Sequence, residues 1–288
     1  MSVFTTGDGR KLTYRRMGSG PVLVCHPGGP GFSSSYFSDL AGLWERFTLI
    51  MLNPRGTGAS DAPPSPRDYQ IDDYVADLEE LRRHLSLEQM FLLGHSHGGI
   101  VAQAYAAAHP AHVRALVLSS TVARFGPEQE AAMHAGMDKR SGQAWYADAA
   151  AALDEEQDGK FRNDQELSEL VFREMPFYFA HFGTAEAGYL DAMRSADIVN
   201  ADTLRLFNEE IFPFFDLRSR LPTITAPTLV ISGDEDFICG PLCAAEITAG
   251  IPGAREVIVG DSGHMLFVEQ PETFHTEVAD FLDTMAQP

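Results

Sequence analysis

Cysteine, basic residues and long apolar runs are all scarce in this 288-residue chain. Its three cysteines, Cys25, Cys239 and Cys243, are an odd number without a regular framework, which points to a reducing, cytoplasmic compartment rather than a disulfide-stapled secreted fold. Lys and Arg total 21 against 41 Asp and Glu, a net charge of −20. Such a surface repels a phosphate backbone or an acidic lipid headgroup, so neither nucleic acid nor membrane is an expected partner. No uninterrupted apolar run approaches the ~18 residues that a membrane span needs, and Met1 to Leu12 lacks the apolar core of an export signal. What is present is an ordinary globular mix, 44% hydrophobic and 22% charged, which can bury a large core and is too apolar for disorder. The length suits two domains or one large α/β domain with an insertion.

Short apolar runs alternate with helical patterns over the first 120 residues. Val22 to Cys25, Leu49 to Leu52, Met90 to Leu93 and Ala115 to Leu118 read as buried strands without polar alternation, the pattern of a parallel sheet covered on both faces. Ile71, Tyr74, Val75, Leu78, Leu81 and Leu85 recur at helical spacing and predict an amphipathic crossover helix. Ser2 to Thr6 and Lys11 to Arg16 flank Gly7-Asp8-Gly9 and predict a hairpin. From about Phe125 to Arg220 no strand-like run appears, and 19 acidic residues face 9 basic ones, half of the net charge in one third of the chain. Strand signals return at Thr228 to Ser232 and Glu256 to Val259, and a last helix is predicted from Pro271 to Met285. The division expected is a core made of 1–124 and 221–288 with a helical subdomain, 125–220, inserted in it.

Gly94-His95-Ser96-His97-Gly98-Gly99 follows one predicted strand and precedes the helical stretch Ile100 to Ala108. This is G-x-S-x-G in a strand-turn-helix context, with glycines where a sharp turn leaves no room for a Cβ and a serine hydroxyl held at the sheet's carboxyl edge. The helix N-terminus behind Ser96 favours an anion there. A serine nucleophile needs a base and the base an orienting carboxylate. His264 lies just after the last strand signal and is the expected base. The expected acid is Asp236, which stands clear of the strand ending at Gly233; Asp234 and Asp261 are the alternatives. The order nucleophile, acid, histidine is that of α/β-hydrolases. Backbone donors for an oxyanion are expected at His97, directly after the serine, and at Gly29 in the loop His26-Pro27-Gly28-Gly29-Pro30-Gly31, where Pro30 has no N–H to give. No Gly-Lys-Ser or Gly-Lys-Thr follows that loop, so it does not read as a phosphate cradle.

On these motifs the chain resembles the α/β-hydrolases over essentially its whole length. Gly28-Gly29-Pro30-Gly31 together with Arg55-Gly56-Thr57-Gly58-Ala59-Ser60 resembles the proline iminopeptidase family of serine aminopeptidases. The resemblance implies an α/β fold with a mostly parallel sheet of about eight strands, a helical cap, a triad of Ser96, Asp236 and His264, and release of an N-terminal residue from a small amide or peptide substrate. Cap glutamates hold the free amino group in that family. The pattern also departs from it: Pro27 separates His26 from the glycines, Asn53-Pro54 precedes Arg55, and His95 and His97 flank the serine, as in esterases and lactonases. An ester substrate is therefore the second expectation, and a non-catalytic ligand receptor on this fold a remote third.

Glu174, Glu209 and Glu210 are the candidates for an amine site, because each stands near phenylalanines suited to a pocket wall. Phe177-Tyr178-Phe179 and Phe212-Pro213-Phe214-Phe215 mark apolar surface facing the cleft or the insertion's own core. Arg55 is expected to bond carbonyls or carboxylates beneath the site. Cys239 and Cys243, at i and i+4 without a further His or Cys cluster, make a poor zinc site; no metal and no cofactor is expected.

Overall fold

The computed structural model describes residues 1–286. Eight strands form one sheet: β1 (Ser2–Thr5), β2 (Lys11–Met17), β3 (Val22–His26), β4 (Thr48–Asn53), β5 (Met90–His95), β6 (Val113–Ser119), β7 (Thr228–Gly233) and β8 (Arg255–Val259). Their order is β1-β2-β4-β3-β5-β6-β7-β8, with β2 antiparallel to both β1 and β4 and every later pair parallel. Every residue of β4, β5 and β7 is buried, which is why these strands show no alternation in sequence. The edge strand β8 is mostly exposed and begins with the charged pair Arg255 and Glu256, which discourages further strand pairing.

Helix α1 (Ile71–His84) buries Tyr74, Val75, Leu78 and Leu81, and Asp73 accepts from the Gln70 N–H at 2.9 Å to close its N-terminus. Helix α2 (His97–Ala108) springs from the end of β5. Between β6 and β7 come α3 (Pro127–Asp138), α4 (Tyr146–Gln157), α5 (Asp164–Glu174), α6 (Thr184–Ala196) and α7 (Ala201–Leu206), the last running into one π turn, Phe207–Ile211. An isolated bridge between Arg124 and Asp216 closes the base of this segment. After β7 follow α8 (Pro241–Gly250), then the short α9 (Leu266–Glu269) and α10 (Pro271–Ala286).

Two apolar clusters cover the two faces of the sheet, and both draw side chains from the helical segment: Leu206, Phe207 and Ile211 on one face, Phe161, Leu167, Phe172 and Met193 on the other. A smaller cluster joins Met133, Met137, Ala149, Leu153 and Phe177 to Phe237 in the loop after β7. From β3 the chain crosses to β4 on one side, and β5 then takes the other side. The crevice at the carboxyl ends of β3 and β5 is thus the topological switch point where open α/β sheets receive ligands.

Candidate active site

Ser96 occupies that switch point, between β5 and α2, with φ 55° and ψ −124°. A non-glycine residue there is strained, and close packing around it holds the conformation. A Cβ on Gly94 would lie 2.3 Å from the Gly98 carbonyl oxygen, and one on Gly98 would lie 2.2 Å from that of His26 and 2.4 Å from that of Pro27. The glycines therefore let α2 approach β5 and the loop after β3 at backbone distance. The Ser96 N–H donates to the Ser119 carbonyl at 3.0 Å, and the Thr121 hydroxyl donates to the Ser96 carbonyl at 2.7 Å.

His264 is buried in the loop after β8. Its Nδ1 is 2.9 Å from Asp236 Oδ2, while Asp236 Oδ1 accepts from the N–H groups of Cys239 (3.0 Å) and Ile238 (3.1 Å). An acceptor-only carboxylate at Nδ1 places the ring proton there and leaves Nε2 bare. Burial pushes the Asp236 carboxyl up, but the adjacent imidazole and the backbone donors outweigh it and hold the group below the ordinary aspartate value. Asp234 and Asp261 are both solvent-exposed, and Asp234 accepts only from the Ser262 N–H among the described residues, at 3.3 Å.

The amide of Gly29 has no acceptor among the described residues, whereas the neighbouring Gly28 N–H donates to the Tyr36 hydroxyl at 2.6 Å. His97 is the first residue of α2, so helix geometry gives its N–H no partner either. The His97 ring points elsewhere, edge-on to Tyr74 and Phe207. Burial pushes the imidazoles of His26, His95 and His97 down, to about 4, 3 and 3, so all three are neutral at ordinary pH.

Ser96, His264 and Gly29 open into a cavity of about 600 Å³, within the range of small-molecule sites. Its walls are mainly apolar: Phe32, Phe125, Met133, Val171, Met193 and Phe207 are among them. Two buried carboxylates interrupt them, and a third, the exposed Glu130, stands at the rim. Glu174, at the end of α5, is buried, and its Oε2 has no hydrogen-bond partner among the described residues; its Oε1 lies 3.5 Å from the Tyr178 hydroxyl. Glu156, at the end of α4, is also buried and accepts from the Asn208 side chain at 2.9 Å. Burial raises both, Glu156 to about 7 and Glu174 well above the ordinary glutamate value, where the Glu156 charge adds to the effect.

The expectation for Glu209 and Glu210 is corrected. Both are exposed and outside the cavity, because the π turn widens the backbone at this point and presents Asn208 and Phe207 inward instead. The aromatic runs are also divided: Tyr178, Phe212 and Pro213 line the cavity, Phe177 and Phe179 are fully buried in packing cores, and Phe214 is 79% exposed. Sequence reasoning missed Glu156, although a signal existed: Ala149, Ala152, Leu153 and Glu156 share one helical face, so the residue following the buried stripe turns inward with it.

Arg55 is buried and donates to the Asp77 carboxylate (2.7 Å) and to the carbonyls of Asp68 and Asp73, bracing the loop before α1. Glu79, His109 and His112 bring ligand-type atoms within 4.8 Å of one another. The Glu79 carboxylate is already occupied by Arg82, Arg83 and the Tyr105 hydroxyl, so two cations and a donor stand where a metal would bind. The three cysteines are buried free thiols.

The family model described as the alpha/beta hydrolase fold matches residues 21–271. The proline iminopeptidase of Saccharolobus solfataricus is 30% identical over 284 residues, covering 94% of this chain and 87% of that one. Among solved structures, a hydrolase from Pseudomonas aeruginosa superposes with a TM-score of 0.74 at 29% identity, covering 98% of this chain and 97% of its own. The enol-lactonase from Burkholderia xenovorans does so with a TM-score of 0.75 at 26% identity, over 98% and 100%.

Proposed function

Because the chain belongs to the alpha/beta hydrolase fold family and is a hydrolase resembling the proline iminopeptidases, we propose that it is a serine hydrolase that removes an N-terminal aminoacyl group from a small amide or peptide. The observation that carries this reading is the pair of buried carboxylates, Glu156 and Glu174, in a mainly apolar cavity that also contains Ser96 and His264. A buried carboxyl with an unpartnered oxygen is unfavourable unless something supplies a charge or a donor. A substrate ammonium supplies both, and on entry it draws the pair into the ionised form.

In the proposed reaction His264 Nε2 takes the Ser96 hydroxyl proton while Oγ attacks the carbonyl carbon. Asp236 holds Nδ1–H and stabilises the imidazolium that forms. The amides of Gly29 and His97 receive the oxyanion. His264 then protonates the leaving amine as its bond to the carbonyl carbon breaks, and water hydrolyses the acyl-enzyme by the same route. The helical segment 125–220 acts as the cap, supplying both carboxylates and most of the cavity wall. The buried free thiols and the strong negative charge favour a cytoplasmic protein without nucleic-acid or membrane partners. Among the described residues no helix is long and apolar enough to cross a membrane.

A panel of prolyl and alanyl arylamides, their N-acetylated forms and uncharged acyl esters tests the reading. Cleavage of the free-amine arylamides, lost on acetylation and lost in Ser96→Ala, is the expected result. Preference for acyl esters with indifference to acetylation favours the second reading, an esterase or lactonase, for which the largely apolar wall is the supporting observation.

A further inference from the structure

The serine that the chain presents is flanked by a histidine whose ring has no role in the proposed reaction, yet both of its nitrogens are engaged. His95 Nδ1 lies 2.8 Å from the Tyr36 hydroxyl, and Nε2 lies 3.0 Å from the main-chain carbonyl of His264. The Tyr36 hydroxyl in turn receives the Gly28 N–H at 2.6 Å. Donor rules leave one arrangement. A backbone N–H only donates, so Tyr36 accepts from Gly28 and turns its own proton to His95 Nδ1. A carbonyl only accepts, so the His95 proton sits on Nε2. All four groups are buried, and the chain Gly28 to Tyr36 to His95 to His264 is satisfied at every link.

We propose that Tyr36 and His95 form a positioning bridge that fixes the Gly29 amide and the His264 ring at one spacing around Ser96. Gly28 precedes Gly29, His95 precedes Ser96, and the last acceptor is the backbone of His264 itself, so the three elements that bring the reacting groups together are strung on one polar line. The Tyr36 ring is held between Phe37 (centroids 4.6 Å apart) and Phe267 (6.1 Å), and its own carbonyl accepts from the Tyr189 hydroxyl of α6 at 2.5 Å. The hydroxyl therefore has little freedom to leave the line. A protonated His95 would present a second N–H to Tyr36 and break the direction of the chain; burial keeps it neutral.

This inference rests on the hydrolase reading of Ser96, and its test separates the two. Wild type, Tyr36→Phe, His95→Gln and His95→Leu are compared in the rate of Ser96 labelling by a fluorophosphonate, in kcat and KM on the best arylamide or ester, and in Tm. Tyr36→Phe should slow labelling and kcat together by roughly 10- to 100-fold, less than outright loss of an oxyanion donor, with KM within about twofold. His95→Gln, whose amide N–H can still reach the His264 carbonyl, should retain more kcat than His95→Leu at comparable Tm. A bridge that only held the fold would lower Tm and leave labelling and kcat in step with wild type. Labelled wild type with Tyr36→Phe equally fast in both assays overturns the bridge alone, as do equal kcat values for the two His95 variants. Wild type that is not labelled at Ser96 overturns the reading beneath it. If Tyr36→Phe does not fold, the His95 pair makes the same decision.

Discussion

Asp236 uses both carboxylate oxygens, one on His264 and one on two backbone N–H groups. Asp236→Asn would turn a donor toward Nδ1 and favour the wrong ring tautomer; kcat should fall by about 10³–10⁴ while the thermal midpoint moves little. The glutamate pair makes a pH prediction whose sign follows from burial. Ammonium binding needs an ionised carboxyl, and Glu156 is raised to about 7, so KM for an amine substrate should fall as pH rises through that value. Glu156→Gln should raise KM for amines and flatten this dependence, leaving N-acetylated substrates unaffected. The same shift acts on stability. A carboxyl whose folded value lies above its unfolded one stabilises the fold below about pH 4.5 and loses that contribution as pH rises through 7. Glu156→Gln should therefore raise Tm more at pH 8 than at pH 5, measured by thermal unfolding.

At the scale of elements, the turn from β5 into α2 shows why some of the site was legible. Gly94 and Gly98 flank Ser96 because backbone meets backbone there, and Gly99 follows because the Thr121 side chain leaves no room for a Cβ; Gly98→Ala should destabilise by on the order of 3 kcal/mol in urea titration, with the His26 and Pro27 carbonyls in the way. The strand ends were legible for the same local reason: apolar runs stop, and polar loop residues such as Asp236 and His264 follow within a few positions. The cavity lining was not. Glu156 reads as one of three consecutive acidic residues after Leu153 until the helix phase of α4 is taken from buried Ala149 and Ala152. Asn208 displaces Glu209 and Glu210 because a single turn of wider helix changes the phase, which no residue in the segment announces. Tyr36 lies in a short 3₁₀ turn, Ser34–Phe37, where no periodicity exists to read, and its link to His95 spans 59 positions.

At the scale of the whole molecule, the surplus of 20 negative charges produces self-repulsion that salt screens. Tm at neutral pH should rise between 10 mM and 200 mM NaCl, and no rise would mean that the surface pairs, such as Arg173 with Asp148, already cancel the repulsion. Acid acts through the interior instead. His26, His95 and His97 are held neutral in the fold down to about 4, 3 and 3, while in the unfolded chain they take up protons below about 6.5. Their contribution is intact above that pH and is lost as pH falls toward those lower values.

The His264 loop is also tied to the helical segment. The His264 N–H donates to the Tyr178 carbonyl at 2.8 Å, and Glu269 receives the Ala180 N–H on one oxygen and the Gly263 N–H on the other, each at 2.7 Å. Displacing that stretch of the helical segment would therefore break bonds that hold the loop carrying His264. The rim of the cavity includes the exposed residues Pro127, Glu130, Gln157 and Pro213. Under the proposed hydrolase reading, free small molecules and loose chain ends are expected to reach Ser96 and the middle of a folded polypeptide is not, which competition between a prolyl arylamide and an intact folded protein would check.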